Sequence, residues 1–231
     1  MAQIREAKKS GKPDAIIDLL DHFLAGFRIA EQNAKKSLQG FAEGQKIGEW
    51  AMSIMGIGPV LAAGLMAHID IEKAPHAGHI FSFAGLNPQQ EWNKGEKRPW
   101  NADLKVLCWK IGQSFVKSKS REGSFYGPIF DEQKAIYIAR NEAGEYKQRA
   151  ADILASKNFR NETVTKSALQ SGVLSDGHID AMARRYAIKF FLSHWHYVAY
   201  EDHHGSPPAR PWIIEFGGHS DFQPPPNWAD G

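Results

Sequence analysis

The chain has 231 residues, 42% of them hydrophobic, with seven Trp, thirteen Phe and a formal net charge of +2. This is enough apolar mass for one domain with appendages, or two small ones, around a genuine core. The charge is too small to imply a nucleic-acid partner by itself, so any basic surface must be local, and the single cysteine, Cys108, excludes an internal disulfide and fits a reducing cytosol.

No run reaches the ~18 apolar residues of a membrane span, and the start, Met1-Ala2-Gln3-Ile4-Arg5, has no apolar stretch behind it that would read as a signal peptide. Residues 1–12 are polar and basic. Pro13 then opens a long helix in which Ile16, Ile17, Leu20, Phe23, Leu24 and Phe27 fall at three- and four-residue spacing, continuing through Ala34 to about Gly40. Its length suits a dimer arm as well as a helix packed on its own domain.

Residues 46–55 form a second helix with Ile47, Trp50, Ala51 and Ile54 inward. Gly56-Ile57-Gly58-Pro59 then makes a sharp turn, and a third helix runs from Pro59 to about Ile69. Two glycines leave backbone N–H groups uncovered. Pro59 suits the first turn of a helix, where its missing donor costs nothing. The product is a helix N-terminus with bare amides around Gly56, Ile57, Gly58 and Val60, a ready anion site that in a helix-hairpin-helix holds a nucleic-acid phosphate. Ala62, Ala63 and Gly64 would let the two helices approach closely.

A turn follows at 70–76, then a short helix carrying Ile80-Phe81-Ser82-Phe83-Ala84 and stopping at Gly85. Residues 88–101 read as a loop that interleaves Lys94, Lys97 and Arg98 with Trp92 and Trp100. Asn101 can cap the next helix, which runs to about Ser118 with Leu104, Leu107, Cys108, Ile111 and Phe115 on one face and Lys105, Lys110 and Lys117 outside. Between 92 and 121 there are eight Lys/Arg against two Asp/Glu, a local surplus of six. Cations with interleaved aromatics suit a phosphate backbone and stacked bases; a solvated helix face with two docked Trp is the bland alternative.

Residues 124–157 predict a helix pair broken at Asn141-Glu142-Ala143-Gly144, and 158–172 are polar and weakly patterned. A final long helix spans 178 to about 200. There Ile179, Met182, Ala183, Tyr186, Ala187, Phe190, Phe191, His194 and Val198 trace a buried stripe, with Arg184, Arg185 and Lys189 outside. The tail from 201 has six prolines and four glycines and carries Trp212-Ile213-Ile214 and Trp228, which argues for an extended segment draped over the core. His194-x-His196 with His203 and His204 has the residue types of a metal site. A helix points rings two positions apart about 200° from one another, so His194 reads as a core residue and no metal site is assigned. Ser114, Ser118, Ser120 and Ser124 lack an obvious base, and none is assigned as a nucleophile.

Several segments together resemble the C-terminal domain of the bridge-RNA-guided insertion-sequence transposases, the IS one-ten family. They are Met55 to Ala63, Ile69-Asp70-Ile71, Phe83-Ala84-Gly85-Leu86-Asn87-Pro88, Ser124-Phe125-Tyr126 and His178 to Arg185. Order and spacing agree from about 46 to 196 apart from an insertion around 140–172. The resemblance implies a DNA-binding helix-hairpin-helix domain, a serine nucleophile in the loop after Ala-Gly-Leu-x-Pro, and a separate RuvC-like domain with metal-binding carboxylates. From Asn87 to Gln113 there is no serine or threonine, and the residues before the hairpin show no βαβ pattern. Both departures argue against strand transfer by this chain alone.

The expected protein is therefore mainly α. It comprises an N-terminal helical arm (1–45), a transposase-like domain built around a helix-hairpin-helix (46–200) and an extended Pro/Gly-rich tail (201–231). It binds DNA, with RNA as the alternative ligand, through amides at Gly56, Ile57, Gly58 and Val60, cations at Lys94, Lys97, Arg98, Lys105 and Lys110, and the rings of Trp92 and Trp100. No cofactor, metal, catalytic residue or membrane partner is assigned, and the 13–40 helix leaves two options open, a homodimer arm or packing on its own domain. A non-catalytic mobile-element or phage factor is the leading role. The competing roles are a recombinase completed by a partner nuclease subunit and a structural or inhibitory interaction protein.

Overall fold

A computed structural model describes residues 15–209 and 222–228. Among these, nine α-helices and one short 3₁₀ turn account for all regular structure, so the fold is mainly α. The helices are α1 (Ala15–Glu43), α2 (Lys46–Ser53), α3 (Pro59–His68), α4 (Ala77–Phe83), α5 (Ala102–Ser118), α6 (Tyr126–Glu142), α7 (Lys147–Ser156), α8 (Val164–Gln170) and α9 (Asp176–His204), with the 3₁₀ turn at Ile71–Lys73. No helix among the described residues is long and apolar enough to cross a membrane. Pro13, the basic residues before it, the Ile16 side chain and Trp212-Ile213-Ile214 lie outside the described residues.

Local chemistry sets the helix ends. Pro59 is the first residue of α3 after the extended N-cap Gly58. The Asn101 side chain accepts from the Leu104 amide at 2.9 Å and caps α5. Gly205, in the left-handed conformation at φ 70°, closes α9, as C-terminal caps require where a Cβ would be strained.

The 29-residue α9 is the spine, ~43 Å long at 1.5 Å per residue. Against it pack α2, α4, α5 and α6. The main core joins Trp50 of α2, Phe115 of α5, Tyr126 of α6, and Phe191, Leu192 and Trp195 of α9. Trp50 stacks on Phe191 with ring centroids 5.9 Å apart, and Phe115 stacks on Tyr126 at 4.9 Å. A smaller cluster holds Ala150 of α7, Leu169 of α8, Leu174 of the segment before α9, and Ile179 in the first turn of α9. The described tail residues dock on the main core: Trp50 Nε1 donates to the Pro226 carbonyl at 2.8 Å, and Trp228 Nε1 donates to Glu201 Oε2 at 2.5 Å.

Four expectations change. The weakly patterned 158–172 segment contains α8, capped by the Thr163 hydroxyl accepting from the Lys166 amide; its one fully buried side chain, Leu169, is too little to make a periodicity. Gly64 faces α5 rather than α2, because a Cβ there would sit 3.0 Å from Leu107 Cδ2. Tyr186 is exposed, and α9 instead buries Ile188, Leu192 and Trp195 as well as the predicted stripe, since neighbours surround it on several sides. The stripe on α1 is not covered: Leu20, Phe23 and Phe27 are exposed, Phe27 by 72%. The end of α1 does pack, with Ala42 fully buried and Gly48 of α2 so close that a Cβ would fall 2.2 Å from the Ala42 carbonyl oxygen.

Candidate nucleic-acid interface

The turn between α2 and α3 is held open by its own backbone. Gly56 adopts φ 98°, which an L side chain strains to reach. The Ser114 hydroxyl of α5 donates to the Gly56 carbonyl at 2.5 Å and anchors the turn. Ile57 is buried, and its amide donates to the Ile54 carbonyl at 2.9 Å, so Ile57 secures the turn and is not one of the open donors. The amides of Gly56, Gly58 and Val60 have no acceptor among the described residues. A Cβ on Gly58 would meet no atom within 4 Å. The start of α3 is therefore an open helix N-terminus with unpaired donors.

The basic loop lies at the other end of α5. Trp100 precedes Asn101, which caps α5, whereas the turn sits against Ser114 and Ser118 near the C-terminus of α5. At 1.5 Å per residue the two features are ~20 Å apart. Proximity in sequence between hairpin and loop thus becomes, in three dimensions, two ends of one helix.

Inside the loop, the aromatics brace one another. Trp92 and Trp100 meet edge-on at 6.4 Å, and Trp92 Nε1 donates to the Glu96 carbonyl at 2.8 Å. Arg98 lies 5.0 Å over the Trp92 ring, and Lys105 Nζ 4.1 Å over that of Trp100. Trp100 also packs on Gly85, where φ is 63° and a Cβ would fall 2.7 Å from the indole. Lys94, Lys97 and Lys110 are exposed and bear no ion pair.

Between the two ends runs the outer face of α5, which carries Lys105, Val106, Trp109, Lys110 and Lys117, all exposed. Trp109 is 58% exposed. It lies off the apolar face that the sequence predicts for this helix. The signal was available: Lys105 and Trp109 are four apart, so they adjoin on one helix face. Cys108 itself is fully buried, and burial pushes its thiol up to about 12. Such a thiol stays protonated and inert. The Ser118 hydroxyl donates to the Ser114 carbonyl at 2.9 Å, so both serines beside the turn serve the backbone.

The histidines separate as the helical spacing implies. His194 Nε2 faces the Gln223 carbonyl at 2.9 Å, so that nitrogen carries the proton, and Nδ1 accepts from the Tyr126 hydroxyl at 2.8 Å. Burial holds His194 down to about 4. His196 Nε2 instead donates to the Ala74 carbonyl at 2.8 Å. No cluster of three or more metal-ligating side chains occurs among the described residues.

No curated protein and no solved structure matches this chain. A family model does, over residues 48–102: that of the Transposase IS116/IS110/IS902 family. The matched segment takes in most of α2, the open turn, α3, α4 and the basic loop, ending at the first residue of α5. Residues 48–102 are therefore a transposase-like region, similar to the family whose motifs the sequence resembles.

Proposed function

We propose that this transposase-like chain binds nucleic acid, DNA first, along the outer face of α5. A phosphate sits at the start of α3, lysines follow the backbone from there toward the 94–98 loop, and Trp109 offers a ring to an unstacked base. The observation that carries the reading is the open N-terminus of α3. Its Gly58 and Val60 amides are unpaired and nothing overhangs Gly58, at one end of a helix face rich in lysine. Contacts of this kind go chiefly to backbone and position rather than specify. The role is accessory rather than catalytic, in keeping with Ser114 and Ser118 being tied to backbone carbonyls.

The test is fluorescence anisotropy with single- and double-stranded DNA and with RNA, over a salt series. Binding whose logarithm falls linearly with the logarithm of salt, steeply enough for several phosphates, supports the reading. No binding at low salt to any of the three refutes it.

The uncovered apolar side chains of α1 favour self-association as well. Leu19, Phe23 and Phe27, four residues apart on one face, are all more than half exposed, a patch of the kind that marks interaction surfaces. A second copy presenting the same stripe in a helix pair is the simplest cover.

A further inference from the structure

One corner of the molecule gathers positive charge with no anion to meet it. Arg149 of α7, Lys157 just beyond α7, and Arg185 of α9 make no ion pair or hydrogen bond within the described residues. By contrast, Arg184 pairs with Asp180 and Arg140 with Glu145. His178 and Arg185 are seven residues apart on α9 and so share one face. Ala150, next to Arg149, is fully buried in a cluster with Ile179, next to His178, which brings α7 to the start of α9. His178 Nε2 is buried with no partner, and so is the Tyr146 hydroxyl, whose ring meets Tyr137 at 6.4 Å.

Each orphaned buried polar atom costs about 1–3 kcal/mol relative to a satisfied one, and unpaired like charges held together repel. Burial and the cations Arg149, Arg185 and Lys157 all push His178 down, and burial with Arg149 pushes Arg185 down. One anion held by Arg149, Arg185 and Lys157 would relieve the repulsion among them.

The corner is continuous with the lysine face of α5. Gly112 of α5 crosses α9 so closely that a Cβ would fall 2.6 Å from Ile188 and 3.0 Å from Arg184. Lys105, two turns earlier on the same side of α5, comes within electrostatic reach of both Arg98 and Arg185.

We infer that this corner is a second phosphate site, in which Arg149, Arg185 and Lys157 supply charge to a phosphodiester of bound nucleic acid above the half-buried His178 ring. The inference rests on the proposed nucleic-acid binding and extends its path from the α5 face across α9 to α7. The shared geometry sets its length: the bound strand wraps around the α5–α9 crossing rather than stopping at the loop.

The experiment is a salt series of anisotropy titrations with one labelled DNA duplex of about 20 base pairs. The expected result for Arg149→Ala with Arg185→Ala is a salt slope shallower by about 1, at roughly 0.9 per phosphate contact, with an unchanged thermal midpoint. Arg28→Ala with Lys36→Ala on α1 removes the same charge far from the corner and leaves the slope as it was. An equal fall in that control overturns the site, as does a folded Arg149/Arg185 variant with wild-type slope while the Gly58→Asp variant loses binding. A wild-type chain with no salt-dependent binding overturns the nucleic-acid reading and this site together. As a second readout, the His178 ring resonance shifts as phosphate binds to the cations around it on titration with inorganic phosphate; no shift counts against the site.

Discussion

Gly58→Asp separates folding from binding by giving them opposite signs. Gly58 is the N-cap of α3 at φ −102° and ψ 177°, the extended conformation of an N-cap residue. Its Cβ position is empty to 4 Å, so an aspartate enters without a clash. The new carboxylate can accept from the amides of the first turn, which stabilises the helix by a few tenths of a kcal/mol over glycine and by about 0.3–1 kcal/mol through the macrodipole. The same carboxylate would face a bound phosphate at ~5 Å. At an effective dielectric constant near 20, two like charges at that separation cost about 3 kcal/mol, a loss on the order of a hundredfold in affinity. Thermal unfolding should therefore show a midpoint equal to or above that of the parent, while anisotropy at low salt shows weak binding. Gly58→Asn supplies the cap without the charge and should retain most of the affinity. Unchanged affinity and salt slope in Gly58→Asp would refute the start of α3 as a phosphate seat, and a lowered midpoint would refute the argument that the N-cap is open.

Trp109→Ala removes an exposed ring, so stability should move by less than ~0.5 kcal/mol, while affinity for single-stranded DNA should fall by about 1–3 kcal/mol if a base stacks there; equal affinities would remove Trp109 from the interface. His194 titrates in the unfolded chain near 6.5 and in the fold near 4, so its neutral form is fully stabilising above pH 6.5, and the advantage drains away as pH falls through 4. The integrated loss is about 3 kcal/mol, read by urea unfolding at stepped pH. His194→Gln should flatten that slope, leaving the share of His196 and His178, both also held down by burial; an unaltered slope would contradict the assignment. Phe23→Glu with Phe27→Glu should abolish concentration-dependent self-association in sedimentation equilibrium, and a wild-type chain monomeric throughout would show that the α1 stripe does not mediate dimers.

Residues near one another in the chain determined the helices and their ends. Pro59, Asn101 and Gly85 act through their own backbone or the next turn, and the spacing of Ile47, Trp50, Ala51 and Ile54 names a buried face because periodicity is a property of a single helix. The open start of α3 was legible in part, since unpaired donors at Gly58 and Val60 follow from a glycine and a proline at a helix start, whereas the pairing of the Ile57 amide with the Ile54 carbonyl belongs to the folded turn. Periodicity says which face is apolar but not what covers it. Only packing decided that the α1 stripe stays open, that Tyr186 is exposed while Trp195 is buried, and that Trp109 stands on the surface. The separation of the turn from the basic loop also belongs to tertiary structure, because the length of α5 intervenes. So does the electrostatic influence of Arg185 on Lys105, eighty positions away in the chain, which depends on Gly112 letting α5 settle against α9. Charges on different helices act on one another only after their backbones have packed, and no local pattern encodes that distance.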